Sequence, residues 1–312
     1  MDEVVSKIIM KSKRNKTIDF PLDYAKEFFE KCQKADQYDG KAVNTVINSD
    51  CFFALDKLDN KSIDLLIVDP PYNLDKNFNG SLFKKTDGKT YTDFTRKWIE
   101  LVKPKLKDTA SLYVCSDWYT SIFLAPILDD CFILRNRITW GREKGRGAKA
   151  NWKNSMEDIF FATVGDDYYF NLDAVKQQRY VVAPYKENGK PKDWTKTDKG
   201  NYRLTCPSNF WDDITIPFWS MPENTAHPTQ KPEKLIAKMI LASSVEGDTV
   251  LDIFAGSGTT GVVAKKLNRN YIMIEKDPLY CAWAEYRLLN ADKDKTIQGY
   301  EDGVFYARNY KK

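Results

Sequence analysis

TVLDIFAGSGTT, residues 249–260, passes from an apolar, β-branched run through two glycines into a segment able to open a helix. TVLDIF (249–254) reads as a strand buried on both faces. Gly256 and Gly258 allow backbone conformations closed to other residues and let the chain pass close to a ligand. A helix over 259–267 would then present free amide N–H groups at its amino end, suited to a carboxylate or phosphate. A second apolar run, NYIMIE (270–275), follows. Strand, helix, strand in that order implies a right-handed crossover between parallel strands.

The same rhythm is present upstream. VNTVIN (43–48), IDLLIV (63–68) and SLYVCS (111–116) read as buried strands, and residues 51–58 and 94–107 carry apolar residues at helical spacing. LRNRITW (134–140) and EDIFFATV (157–164) fit a hairpin at one end of the sheet, and residues 231–244 a further helix. The fold class is α/β, a doubly wound, mostly parallel sheet. Between residues 165 and 224 the rhythm lapses into a polar, aromatic stretch that reads as a small inserted module. The resulting division is a helical extension (1–42, with one helix candidate over 22–35), a first half (43–164), the insert (165–225), a second half (226–290) and a tail (291–312).

Composition narrows the class. The 312 residues are 42% hydrophobic, enough for a full core, and 48 basic against 44 acidic side chains leave a net charge of +4. No run of about 18 apolar residues occurs, so no membrane association is expected and the location is read as cytoplasmic. Six scattered cysteines without a CxxC pair, and a single histidine, point to reduced thiols and to no metal site.

Asp69-Pro70-Pro71-Tyr72 directly follows the strand 63–68, where an open α/β sheet binds ligands. The two prolines fix φ and lack N–H groups, so their carbonyls can face a ligand. An exocyclic base amine is a poor nucleophile because its lone pair is delocalised into the ring. Were the Asp69 carboxylate and the Pro70 carbonyl to accept its two hydrogens, the nitrogen could pyramidalise toward an electrophile, with Tyr72 offering a stacking face. An ordinary surface turn would use the same residue types. In the glycine segment, Thr259-Thr260 stands where a P-loop needs Gly-Lys-Ser/Thr, which disfavours nucleotide triphosphate hydrolysis. Glu275, ending the next strand, suits ribose hydroxyls in either a dinucleotide or another nucleoside cofactor.

With DPPY preceding FAGSGTT, the chain resembles the β group of bacterial DNA amino-methyltransferases of restriction–modification systems, which act on N6 of adenine or N4 of cytosine. NSDC (48–51), ITWGREKG (138–145), HPTQKP (227–232) and IEKDPLY (274–280) match that family's order, and the resemblance spans 43–288 outside the insert. It implies S-adenosylmethionine as cofactor, with Phe254, Gly256, Gly258, Thr259 and Thr260 around its methionine moiety, Glu275 at its ribose and Asp252 among the cofactor-binding residues. Asp50 and Cys51 would lie at its adenine and Lys231 near its carboxylate. Asp69, Pro70, Pro71 and Tyr72 would hold an extruded base. The implied partner is double-stranded DNA in the nucleoid, recognised mainly through the insert. A second copy of the chain and a cognate restriction endonuclease are candidate protein partners.

Arg142, Lys144, Arg146, Lys149 and Lys153, interleaved with glycines between Trp140 and Trp152, suit a loop that tracks phosphates; a solvated charged hairpin is the plainer alternative. Residues 73–92 read as a polar lid or a plain loop. Cytosine C5 methylation would need a cysteine nucleophile, and Cys206 stands in the reverse of that family's Pro-Cys order. Asp rather than Ser at position 69 follows the family's adenine trend. Protein glutamine methylation and a catalytically inactive DNA-binding subunit are the remaining alternatives.

Overall fold

The computed structural model describes residues 14–142, 149–181, 185–198 and 200–306. Among them, nine strands form the main sheet. In chain order these are β1 (Gln33–Lys34), β2 (Thr45–Asn48), β3 (Ile63–Val68), β4 (Leu106–Ser116), β5 (Ile133–Gly141), β6 (Met156–Thr163), β7 (Phe210–Trp211), β8 (Thr249–Asp252) and β9 (Asn270–Glu275). Their spatial order is β1-β2-β9-β8-β3-β4-β6-β5-β7. Only β6 runs antiparallel to its neighbours. The six main helices are α1 (Cys51–Lys57), α2 (Gly88–Val102), α3 (Ser121–Cys131), α4 (Glu233–Ser243), α5 (Thr259–Lys266) and α6 (Pro278–Lys293).

The central strands are apolar throughout because both faces are covered. In β3, Leu65 and Ile67 enter one core, while Ile63, Leu66 and Val68 enter the other. Such double burial needs crossover helices on both sides of the sheet. Asp50 and Asp277 start α1 and α6 by accepting from Phe52 N at 3.0 Å and Leu279 N at 2.8 Å.

Several boundaries differ from the sequence expectation. The helix read over 22–35 is a 3₁₀ turn at Leu22–Tyr24 and a four-residue helix, Lys26–Phe29. The chain then joins the main sheet as β1, parallel to β2. The segment is too short to sustain a free helix and satisfies its backbone on the sheet edge instead. The helix read over 94–107 begins at Gly88, capped by Asp87, and gives way after Val102 to a 3₁₀ turn containing Pro104. Residues 73–92 hold a hairpin, Lys76–Phe78 with Ser81–Phe83, and the first turn of α2. Asn73 anchors that segment, accepting from Thr86 N at 2.8 Å and donating to Thr86 O at 3.0 Å.

Strands of the insert and of the tail share a second sheet. Gln177–Tyr180 is the centre of that sheet, flanked by Gly200–Thr205 on one side and by Val304–Tyr306 from the tail on the other. β7, also from the insert, pairs with β5 in the main sheet. Buried charges join the second sheet to α4. Lys234 Nζ donates to Asp213 Oδ2 at 2.7 Å and to the Tyr306 carbonyl at 2.8 Å, and Lys238 Nζ reaches Asp213 Oδ1 at 3.1 Å.

Candidate active site

β3 and β8 lie side by side, Leu66 opposite Leu251, where the strand order reverses. The chain leaves β3 toward β4 on one side and β8 toward β9 on the other, which opens a crevice at their carboxyl ends. Asp69 to Tyr72 leave β3 there and Phe254 to Gly258 leave β8. Both segments line one cavity of about 960 Å³.

On the β3 side, Asp69 is gripped at both oxygens. The Tyr72 hydroxyl donates to Oδ1 at 2.8 Å, and Lys231 Nζ donates to Oδ2 at 2.5 Å. Lys231 stands just before α4 and also lies 3.3 Å from the Tyr72 hydroxyl and 3.4 Å from Glu157 Oε2. Glu157, buried in β6, pairs with Arg142, and its Oε2 lies 3.3 Å from the Tyr72 hydroxyl oxygen. Two carboxylates thus share two cations and a phenol. Burial, then the Asp69 charge, raises the Tyr72 hydroxyl well above its ordinary pKa, so it remains a donor.

On the β8 side, Gly256 and Gly258 have φ of 51° and 79°. A side chain at Gly256 would meet His227 Nε2 at 2.9 Å, and one at Gly258 would meet Ala284 Cβ at 2.5 Å. Glu275 buttresses the turn, accepting from Gly256 N at 2.7 Å and Asp277 N at 2.8 Å. Burial still raises its pKa. Asp252 accepts from the Thr260 hydroxyl at 2.6 Å and Phe254 N at 3.1 Å. Burial pushes its carboxyl up to about 7. Arg287, buried on α6, holds the Ser257 carbonyl at 2.8 Å and the Thr259 hydroxyl at 3.0 Å. Asp50 and the buried Cys51, whose thiol burial pushes up to about 12, also line the cavity.

Asp69, Pro70, Pro71, Tyr72, Asp50, Cys51, Lys231, Phe254, Gly256 and Glu275 therefore come together on the cavity. Asp252, Thr259 and Thr260 line a small adjoining space shared with Asp69, and Gly258 supports the turn from behind. Lys231, expected beside a cofactor carboxylate, is bound to Asp69. Arg142, expected on phosphates, is bound to Glu157 and lines the cavity. Lys149 and Lys153 are exposed, and Lys144 and Arg146 fall outside the described residues. Sequence reasoning missed Glu157, Arg287 and the placement of His227. Two adjacent acids, Glu157 and Asp158, leading into the apolar run of β6 were the available signal for Glu157.

The sequence profile of the DNA methylase family, which covers the N6 and N4 enzymes, matches residues 63–286. The chain belongs to the DNA methylase family. With membership comes the general activity, methyl transfer to an amino group of DNA. It is 34% identical over 247 residues to the type II methyltransferase M.HpaI of Haemophilus parainfluenzae, covering 78% of this chain and 73% of that one. Over 257 residues it is 33% identical to the DNA adenine methyltransferase YhdJ of Escherichia coli strain K12, with 80% and 84% covered. Among solved structures, the fold matches the PvuII cytosine-N4-specific DNA methyltransferase with a TM-score of 0.61 at 19% identity, covering 81% of this chain and 89% of that one. A complex of M1.HpyAVI with SAM matches with a TM-score of 0.55 at 22% identity, covering 78% and 98%.

Proposed function

We propose that the chain transfers a methyl group from S-adenosylmethionine to N6 of adenine within a short duplex sequence, after extruding the base. The observation that carries the reading is the shared cavity, which Asp69 to Tyr72 line together with Phe254, Gly256 and Glu275. Bound S-adenosylmethionine would supply an electrophilic methyl group. The residues fit such a group: Gly256, whose side-chain direction is closed by His227, brings bare backbone to the cavity wall, and the Asp50 and Glu275 carboxylates suit the hydroxyls and amine of a nucleoside.

Asp69 and the Pro70 carbonyl do the work on the amine. Each Asp69 oxygen already takes one hydrogen bond and retains acceptor capacity for a substrate N–H. Lys231 fixes the carboxylate before substrate arrives, so no reorganisation is needed at the moment of reaction. Hydrogen bonds from the amine to Asp69 strengthen as positive charge develops on nitrogen, which favours the transition state over the bound ground state. A base within a duplex holds its amino group in the plane of the stack and must be extruded to reach this site. Tyr72 then offers it a stacking face. Asp at position 69 and the similarity to the adenine methyltransferase of Escherichia coli favour adenine over cytosine.

Methylation-sensitive sequencing of DNA from cells expressing the chain tests the reading. N6-methyladenine is expected at one short sequence. It should vanish with Asp69→Ala, whose purified form should still bind S-adenosylmethionine and DNA. N4-methylcytosine would reassign the target, and no modified base at all would sink the proposal.

A further inference from the structure

Five of the eight tryptophans are enclosed to some degree: Trp98, Trp140, Trp211 and Trp283 are buried, and Trp194 is partly so. The other three, Trp118, Trp152 and Trp219, are 52%, 96% and 52% exposed. Each lies within two residues of the cavity lining, next to Asp117, Asn154 and Pro217 respectively. Exposed indole is thus concentrated around the mouth of the site that receives the target base. Trp152 is the extreme case. Its ring buries almost nothing in the free protein and so contributes little to folding.

We propose that Trp152 enters the duplex and fills the gap left when the target base is extruded. The inference rests on the DNA methylation reading above. Two residues separate by at most about 7 Å, so Trp152 stands at the cavity rim beside Asn154. Lys149 and Lys153 flank it in sequence, and both are exposed, which suits a segment passing between phosphates. Extrusion costs a few kcal/mol of lost stacking and pairing, and it leaves a slot with two aromatic faces. A planar side chain carried beside the extrusion site recovers part of that cost by stacking in the slot. Tyr72 does not compete for this role. Its hydroxyl is tied to Asp69 inside the cavity, where the extruded base itself arrives.

The test uses full-length protein and duplexes carrying the site mapped by sequencing, with 2-aminopurine at the target for fluorescence and adenine there for turnover. Trp152→Ala is expected to fold with unchanged thermal stability, because the ring is exposed. Its turnover on intact duplex and its 2-aminopurine signal should fall about 5- to 150-fold, the range of one base-stacking contact. Trp152→Phe should lose less. When the nucleotide opposite the target is abasic, extrusion costs less and turnover by Trp152→Ala should recover most of the loss. Equal loss on intact and abasic duplexes would make Trp152 a general DNA contact and overturn the proposal, as would no loss on either. An active wild type with an unaffected variant overturns this inference alone. A wild type that methylates no DNA overturns the functional reading and this inference with it.

Discussion

His227, the chain's single histidine, shows how a residue type can mislead when read alone. Its scarcity argues against a metal site, but nothing in its isolation indicates that the ring packs against Tyr280, with centroids 4.5 Å apart, and borders the Gly256 turn. Burial, and then the nearby Lys231 and Arg287 charges, lower its pKa to about 3. A histidine so depressed contributes stability that is fully present above the unfolded value of about 6.5 and is lost as pH falls toward 3. Between pH 7 and pH 4.5 the difference is on the order of 2 kcal/mol. His227→Gln should therefore lose less stability than wild type over that interval, as read by urea unfolding at each pH. Identical pH dependence in the two proteins would show that the ring is not held neutral by its surroundings.

At the scale of elements, the segment joining β5 to β6 combines two roles that its sequence presents as one. Arg142, at its start, is turned inward onto Glu157, while Lys149 and Lys153 remain at the surface. A row of cations in sequence says how much charge is available, whereas the strand pairing decides which of them points at a buried acid. Gly141, paired with Met156, ends the regular ladder, and Arg142 N still reaches the Ser155 carbonyl at 2.6 Å. Non-specific DNA affinity is then expected from the cations beyond Arg142. Replacing Arg146 and Lys149 together by alanine should weaken binding to every duplex and lower the slope of log affinity against log salt by about 2, nearly one unit per phosphate contact. Fluorescence-anisotropy titrations over a salt series measure that slope, and an unaltered one would leave the segment as a solvated hairpin.

Over the whole molecule, what could be read in the sequence was whatever is encoded by local periodicity. The strands 63–68 and 270–275 have the bounds of β3 and β9, because burial on both faces leaves an uninterrupted apolar run. DPPY and FAGSGTT were legible as candidate sites for the same reason: each is a short motif at the end of such a strand, and both segments reach one cavity. Helix α6 passed unread, since its buried Cys281, Trp283 and Arg287 give no clear apolar stripe. The pairing of β7 with β5 and of the tail with the insert was also hidden, because strands of two or three residues acquire their structure from distant partners. That long-range pairing changes how the insert's role is to be tested. We propose that the insert selects the methylated sequence, since the motifs shared with the family lie on both sides of it and none lie inside. Gln177–Tyr180 pairs with Val304–Tyr306, and Lys234 ties Asp213 to the Tyr306 carbonyl, so the recognition unit includes part of the tail. A chimera that takes another family member's insert but keeps this tail would leave a foreign strand facing unmatched partners, and it should be less stable than one that exchanges both segments while retaining Asp213. The chimera with both segments exchanged should stay active and methylate the donor's sequence, as read by methylation-sensitive sequencing. If it is active but still marks the original sequence, recognition belongs to the catalytic half and not to the insert.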